Sequence, residues 1–208
     1  MFPDLDDLSM RPPTKLAAIE NDTQALGFDM PSSRETGSLL RKLASSLPSS
    51  RFIELGTGTG LATCWLLDGM DHSSQLLTVD INTEVLDVAR RHLGADKRLT
   101  IVHDDVVSWL AQAPRNSIDF IFADALPGKF SELDQALSML SEGGLYVVDD
   151  LLPQSNWPEG HALRVPVFIN ELRSNPELEV DYRAWASGIL IAQKQNKSLN
   201  TGPANWAG

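Results

Sequence analysis

Residues 53–63, with the sequence Ile-Glu-Leu-Gly-Thr-Gly-Thr-Gly-Leu-Ala-Thr, constrain the fold of this chain more than any other segment. A predicted apolar strand over 51–55 runs into three glycines at alternate positions and then into an apolar helix. Glycine lets the backbone turn sharply and approach a ligand closely, because it has no Cβ. A turn from strand to helix also presents unpaired amides, which favour a polar or anionic ligand.

The spacing of these glycines indicates which ligand the turn accepts. Gly56, Gly58 and Gly60 form G-x-G-x-G, which differs from the G-x-G-x-x-G of a dinucleotide pyrophosphate turn. Glu54, two residues before the first glycine, is placed to meet the α-ammonium of an amino-acid-like ligand. Together these features favour S-adenosylmethionine (SAM) over NAD.

Strand and helix patterns alternate after this turn. Short apolar runs lie at 51–55, 75–80, 98–103, 117–124 and 144–149, and helical patterns lie at 60–70, 83–93, 105–112 and 130–141. Strands that are apolar on both faces and separated by helices indicate a parallel sheet covered on each side. A helix near 161–174 follows, and then two strand-like segments, 177–183 and 187–193, whose connection is too short for a parallel crossover. We therefore predict a single-domain, doubly wound α/β fold whose mostly parallel seven-stranded sheet ends in an antiparallel hairpin.

Three parts of the chain are predicted. Residues 1–30 form an N-terminal arm and helix, with the helix from about Thr14 to Leu26 stopped by Gly27. Residues 31–194 form the main domain, and residues 195–208 form a polar tail. A second helix, Glu35 to Leu47, is expected to be capped by Ser32 or Ser33 and ended by Pro48.

Composition excludes several classes of function. The net charge of −11 over 208 residues argues against a nucleic-acid partner, since phosphate binding needs clustered Lys and Arg. No apolar run approaches the ~18 residues that a membrane span needs, and the N-terminus lacks a secretory pattern. The single cysteine, Cys64, excludes an internal disulfide and a cysteine-based zinc cluster. We expect a cytoplasmic protein with a small-molecule substrate.

Acidic side chains follow each predicted parallel strand, where open α/β sheets bind their ligands. They are Glu54, Asp80, Asp104 and Asp105, Asp124, and Asp149 and Asp150. Asp80 is suited to accept hydrogen bonds from both ribose hydroxyls of a nucleoside. Any one of these acids is also explained as a helix N-cap. As a set they repel one another unless a ligand or cation uses them, so the sequence predicts a ligand site at this edge.

The chain from about residue 30 to residue 193 resembles the cation-dependent O-methyltransferases, the family that contains catechol and caffeoyl-CoA O-methyltransferases. The turn at 53–60 is similar to the family's E-I/L-G-T-x-x-G motif, and 118–125 is similar to its Y-D-F-I-F-I-D-A strand. Further similar segments are 30–40 (the segment before the SAM strand), 103–106 (G-D-A), 143–150 (G-G-L-I-V-x-D-N) and 186–194 (D-G-L-x-x-x-x-K).

The resemblance implies a SAM-dependent O-methyltransferase (EC 2.1.1.-) that acts on a small hydroxylated molecule, catechol-like or phenolic, with a homodimer as the assembly. It implies that Asp124, Asp149 and Asp150 hold Mg²⁺ or another divalent cation, for which hard oxygen ligands are suited. Asp105 is implied to lie near the adenine. The cofactor-binding residues predicted on this basis are Met30, Glu54, Gly56, Thr57, Gly58, Gly60, Asp80, Ile81, Asp105, Val106 and Asp124.

The chain departs from the family's pattern on the acceptor side. Asp150 stands where the family has Asn, and Pro127 stands where the family has a proton-removing lysine. The nearest lysine, Lys129, is either a solvated residue at a helix start or a catalytic group. His161 is either a surface or capping residue or a replacement general base. Trp157 is either a core or loop anchor or one wall of an aromatic pocket.

Two alternatives to this enzyme remain open at the level of sequence. One is a non-catalytic protein of the same fold that retains the SAM pocket but has lost the chemistry of the acceptor side. The other is an NAD-dependent oxidoreductase, which needs a pyrophosphate turn that this glycine spacing does not provide.

Overall fold

The computed structural model describes residues 8–196, in which strands and helices alternate. The strands are β1 Arg51–Leu55, β2 Gln75–Asp80, β3 Leu99–His103, β4 Ile118–Ala123, β5 Leu140–Val148, β6 Leu178–Arg183 and β7 Ile189–Lys194. The helices are α1 Leu16–Leu26, α2 Arg34–Ser45, α3 Leu61–Gly69, α4 Thr83–Leu93, α5 Val106–Leu110, α6 Leu133–Met139 and α7 His161–Ser174.

The seven strands form one sheet in the order β3-β2-β1-β4-β5-β7-β6. Strands β1 to β5 pair in parallel, whereas β7 is antiparallel to both β5 and β6. The predicted doubly wound sheet with its antiparallel hairpin is therefore confirmed. The strand order reverses on either side of β1, so β1 and β4 flank the point where such sheets bind ligands.

The first two helices begin and end close to the predicted positions, and local chemistry explains why. Gly27 adopts a φ of 70° after α1, a left-handed conformation that glycine accepts without strain. The Ser33 side chain accepts a hydrogen bond from the Thr36 amide and caps α2. Helix α2 ends at Ser45, slightly before the predicted end at Leu47.

The hydrophobic core lies in two layers, one on each face of the sheet. Trp65, Phe52 and Phe120 are almost fully buried in the layer that α1, α2 and α3 cover. Tyr146 and Phe168 belong to the layer on the other face, where α7 packs. Fully burying an aromatic or aliphatic side chain of this kind stabilises the fold by about 1.5–3 kcal/mol, so both layers are needed to fix the sheet.

The predicted helix at 130–141 is the largest departure in secondary structure. The observed helix, α6, covers only Leu133–Met139, and β5 already begins at Leu140. Leu140 pairs with Ile118, and the register then shifts before Phe120. The chain thus reaches the sheet earlier than the helical pattern indicated, because pairing with β4 takes precedence over local helix propensity.

The first helix, α1, packs into the core near the N-terminal end of the described residues. Leu16 and Ile19 of α1 are buried in the core layer shared with α2 and α3. The predicted polar tail, 195–208, lies outside the described residues except for Gln195 and Asn196. Between residues 8 and 196, the structure has no helix with the length and apolar character required to span a membrane.

Candidate functional site

A cavity of about 400 Å³ opens at the carboxyl ends of β1, β2, β4 and β5. Its volume is in the range of small-molecule binding sites. One end is lined by the glycine turn after β1 and by Asp80, and the other end is lined by Asp124, Asp149, Asp150 and Trp157. Met30 also lines the cavity although its side chain is largely exposed, so the segment before α2 forms part of the cavity wall.

The glycine turn brings the backbone directly against the next strand. Gly56, Gly58 and Gly60 all have positive φ, with values of 96°, 51° and 91°. A Cβ on Gly56 would lie 3.1 Å from the carbonyl carbon and oxygen of Asp124, so a side chain there is tightly confined. Gly56, Thr57 and Gly58 line the cavity, whereas Gly60 lies below it as the N-cap of α3.

Asp80 lies at the edge of the cavity, and its role as a ribose-binding acid stays a prediction. Its carboxylate lines the cavity and accepts hydrogen bonds from the amides of Gly58 and Asn82, both at 2.9 Å. These two bonds fix the side chain against the glycine turn. The carboxylate is therefore pre-oriented at the edge of the cavity, with acceptor capacity left for a ligand.

Glu54 does not line the cavity, and its contact with an α-ammonium stays a prediction. The side chain is fully buried beneath the turn and accepts hydrogen bonds from Thr63 Oγ1 and Thr78 Oγ1 at 2.5 and 2.6 Å. Its other oxygen, Oε1, has no partner among the described residues. Burial, opposed by these two hydrogen bonds, raises the pKa of Glu54 to about 8.

Three residues predicted to bind the cofactor lie outside the cavity walls. Ile81 follows Asp80 but is 65 % exposed. Asp105 caps α5 by accepting hydrogen bonds from the amide and hydroxyl of Ser108. Val106 is buried in the core layer that also contains Tyr146 and Phe168. The helix-capping alternative thus describes Asp105 well, and its role toward adenine stays a prediction.

Asp124, Asp149 and Asp150, together called the acid cluster, form the acceptor end of the cavity. Burial and the nearby charge of Asp149 raise the pKa of Asp124 to about 7. Burial also raises the pKa of Asp149. Two carboxylates that disfavour each other's ionised form in this way lie close together in a poorly hydrated site.

The acid cluster does not form the predicted metal site in this structure. Among residues 8–196, no group of three or more His, Cys, Asp or Glu side chains is arranged to hold a metal ion. Asp124 Oδ2 instead accepts a hydrogen bond from Ser32 Oγ at 3.0 Å. The predicted convergence of the three acids is thus replaced by hydrogen bonds from the protein, and the donor set does not fit a divalent cation.

Lys129 and His161 are both buried, with 3 % and 4 % of their surfaces exposed. This excludes a solvated lysine and a surface histidine, the two simpler alternatives. Neither side chain lines the cavity, so the structure does not place either as a group in contact with an acceptor. The Lys129 ammonium donates a hydrogen bond to the backbone oxygen of Asp149 at 2.8 Å. Burial lowers the pKa of His161.

Two serines were missed as site residues by reasoning from the sequence. Ser32, predicted as a possible helix cap in the segment 30–40 that resembles the family's pocket-lining segment, lines the cavity and donates a hydrogen bond to Asp124. Ser187, in the turn before β7, also lines the cavity and donates a hydrogen bond to Asp149. Both lie in loops without periodicity, and only the folded chain brings them to the acids.

Comparison with known proteins agrees with this fold. Residues 53–151 match the sequence profile of the family described as "Methyltransferase domain". A protein from Mycobacterium ulcerans described as "Putative O-methyltransferase" is 31 % identical over 117 residues, which cover 54 % of this chain and 52 % of that protein. The chain thus spans about half the length of the curated relatives it matches.

Solved structures extend the likeness to nearly the whole chain. The O-methyltransferase from Bacillus cereus in complex with SAH has a TM-score of 0.78 at 18 % identity, covering 92 % of this chain and 95 % of that one. A SAM-bound O-methyltransferase of tomaymycin synthesis from Streptomyces achromogenes has a TM-score of 0.75 at 20 % identity, with 88 % and 90 % covered. The chain shares the fold of these methyltransferases. The Bacillus cereus and Streptomyces achromogenes proteins are both described as O-methyltransferases.

Proposed function

We propose that this chain is a SAM-dependent O-methyltransferase that methylates a small hydroxylated molecule, catechol-like or phenolic. The observation that carries the proposal is the two-ended cavity. The glycine turn and Asp80 form one end, and the acid cluster with the Trp157 indole forms the other. A cofactor at the first end and an acceptor at the second would meet between Gly56 and Asp124.

The first end suits the cofactor in its shape and its chemistry. The side-chain-free edge of Gly56 and Gly58 lets a ligand lie against the backbone. Asp80 accepts hydrogen bonds and is suited to the two ribose hydroxyls. SAM, when bound, supplies an activated methyl group on a sulfonium. Met30 and Thr57 also line the cavity.

The second end suits a hydroxylated acceptor. Carboxylates of the acid cluster face the cavity and are able to accept a hydrogen bond, and then a proton, from an acceptor hydroxyl. The Trp157 indole offers a flat apolar wall for an aromatic ring. Catalysis here is then chiefly a matter of holding the acceptor oxygen in line with the methyl group. The donor set gives no support to assistance by a divalent cation, so no step is assigned to a metal.

The relatives support this assignment without fixing the acceptor. The Mycobacterium ulcerans protein is described as "Putative O-methyltransferase", and the likeness to it covers about half of each chain. The Bacillus cereus structure contains SAH, the product that SAM leaves after methyl transfer. A small-molecule substrate, a homodimeric assembly and a cytoplasmic location are part of the same proposal.

Isothermal calorimetry with S-adenosylhomocysteine tests the cofactor half of the proposal. The wild type should bind one equivalent, and Asp80→Asn should weaken binding about tenfold or more because a charged acceptor to ribose is lost. Asp87→Asn is the matched control, since this exposed aspartate lies on α4 and pairs with Arg90. No binding by the wild type at millimolar concentration would overturn the proposal.

Non-catalytic SAM binding is the second candidate, and one observation favours it. Lys129 and His161, the two residues predicted to remove a proton, both lie outside the cavity. A methyl-transfer screen over catechols, flavonoids and simple phenols separates the candidates. Turnover of any of them supports the enzyme, whereas S-adenosylhomocysteine binding without turnover supports the binding protein.

A further inference from the structure

Lys129 is buried beside the acid cluster because of the turn that precedes it. Gly128 has a φ of 86°, and a Cβ there would lie 2.4 Å from the Leu55 side chain. The Tyr146 hydroxyl donates a hydrogen bond to the carbonyl of Gly128 and holds the turn in place. The Pro127-Gly128 pair therefore directs Lys129 into the protein interior, where only 3 % of its surface is exposed.

The Lys129 ammonium acts on the acid cluster from behind the cavity wall. It donates a hydrogen bond to the backbone oxygen of Asp149 at 2.8 Å. Its charge also opposes the rise in pKa that burial causes at Asp124 and Asp149. A buried ammonium is costly unless it is compensated, and these two carboxylates are the charges that compensate it.

The third acid of the cluster is held by aromatic side chains. Asp150 has a φ of 66°, and its Oδ1 accepts a hydrogen bond from the Trp157 indole. His161 Nε2 lies 3.5 Å from Asp150 Oδ2 and 3.3 Å from the Asp150 backbone oxygen. The His161 ring stacks on Trp157 with centroids 4.3 Å apart and meets the edge of Phe130 at 4.8 Å. Asp150 is thus oriented by protein donors.

A divalent cation needs six or more oxygens directed at one point, at about 2.0–2.6 Å. The acid cluster instead has its carboxylates turned toward Ser32, Ser187 and Trp157, and it has a positive charge already behind it. A second cation in this place would meet the field of the Lys129 ammonium, which in a poorly hydrated site is weakly screened.

We propose that the Lys129 ammonium supplies the positive charge of this site, and that it thereby excludes divalent cations from the acid cluster. Its consequence, that methyl transfer by this chain needs no added metal, rests on the proposed function. The exclusion itself is a binding property and is measurable without turnover. Lys129 is in this view a positioning residue, which sets the charge and the orientation of the acids that face the acceptor.

The test is a calorimetric titration of metal-free full-length protein with Mn²⁺. Wild type and Lys97→Gln, a control at an exposed lysine on another edge of the sheet, should show no binding tighter than about 1 mM. Lys129→Gln keeps a donor for the Asp149 oxygen but removes the charge, so it should bind one Mn²⁺ at least about tenfold more tightly. Adding Asp149→Asn to Lys129→Gln should abolish that binding.

Two results would overturn the proposal that Lys129 excludes divalent cations. One is a wild type that binds one Mn²⁺ per chain and loses it on Asp149→Asn, a result that decides the matter even if Lys129→Gln does not fold. The other is a folded Lys129→Gln that binds Mn²⁺ no better than the wild type. Titration of the same samples with S-adenosylhomocysteine in EDTA tests the proposed function separately. A protein that fails to bind S-adenosylhomocysteine would contradict the proposed function but would leave the Mn²⁺ result unchanged. Methyl transfer to any acceptor found should likewise persist in EDTA.

Discussion

Gly56 and Asp124 lie back to back at the centre of the site, because a Cβ on Gly56 would stand 3.1 Å from the Asp124 carbonyl carbon and oxygen. The same two residues face the cavity from the ends of neighbouring parallel strands. The glycine turn thus lies directly against the backbone of Asp124, one member of the acid cluster. A change in either should be felt by the other.

Gly56→Ala should therefore damage both the fold and the cofactor site. The alanine would combine a left-handed φ of 96° with a backbone contact that must open by a few tenths of an ångström. We expect a loss of about 1–3 kcal/mol in the free energy of unfolding and about tenfold or more in S-adenosylhomocysteine affinity. Urea denaturation and calorimetry measure the two effects.

Gly27→Ala is the matched control for this substitution. Gly27 also has a positive φ, 70°, but a Cβ there would have nothing within 4 Å. Gly27→Ala should introduce backbone strain alone, which lowers the free energy of unfolding by about 1 kcal/mol and leaves the cofactor affinity unchanged. Equal losses of affinity in both variants would contradict a specific role for the Gly56 contact.

Glu54 predicts a pH dependence of stability. Its pKa is about 8 in the folded protein, whereas the ordinary value is 4.5. The folded state therefore holds a proton that the unfolded state has released between these two values. The contribution of Glu54 to the free energy of unfolding has its full value below about pH 4.5. It decreases as the pH rises to about 8, at roughly 1.4 kcal/mol per pH unit.

Glu54→Gln should remove this slope, since glutamine is a neutral side chain of similar shape. The difference in the free energy of unfolding between variant and wild type should grow in favour of the variant from pH 5 to pH 8. Urea denaturation at several pH values measures it, with Glu84→Gln, at an exposed position of α4, as the control. Parallel curves for wild type and Glu54→Gln would show that Glu54 ionises normally.

Gly37 predicts a substitution in which packing overrides helix propensity. It lies inside α2, where alanine is intrinsically better by about 1 kcal/mol. A Cβ there would lie 2.2 Å from the Trp65 ring, which is almost fully buried. Gly37→Ala should therefore destabilise the fold by about 1–3 kcal/mol, as overpacking does in other cores. Chemical denaturation checks this, and a variant as stable as the wild type would mean that Trp65 shifts freely.

The sequence was sufficient to predict the sheet, its hairpin and the turn at Gly56, because these depend on patterns that are local in the chain. Asp80 was also predictable, since the end of a parallel strand defines its edge of the sheet. The orientation of side chains was not predictable to the same degree. Glu54 precedes the turn by two residues, yet it points into the core.

The acceptor side could not be predicted in detail because its contacts join distant segments. Ser32 reaches Asp124 and Ser187 reaches Asp149 across many residues of sequence. Lys129 was singled out as displaced from the family's lysine, but its burial depends on how the Pro127-Gly128 turn packs against Leu55. Such packing leaves no periodic signal in the chain.

Trp157→Phe should separate the indole hydrogen bond from the aromatic wall. Phenylalanine keeps a ring near His161, but it removes the N–H that orients Asp150. A hydrogen bond to a charged group contributes about 1.5–3 kcal/mol, so the free energy of unfolding should fall by a comparable amount. S-adenosylhomocysteine affinity should stay within about twofold of the wild type, because Asp150 lies at the acceptor end.

Trp109→Phe, at a part-buried indole of α5, is the control, and its loss in the free energy of unfolding should be smaller. If both variants lose the same stability, the Trp157 indole does not hold Asp150, and a large loss of cofactor affinity in Trp157→Phe would instead place this residue at the cofactor end.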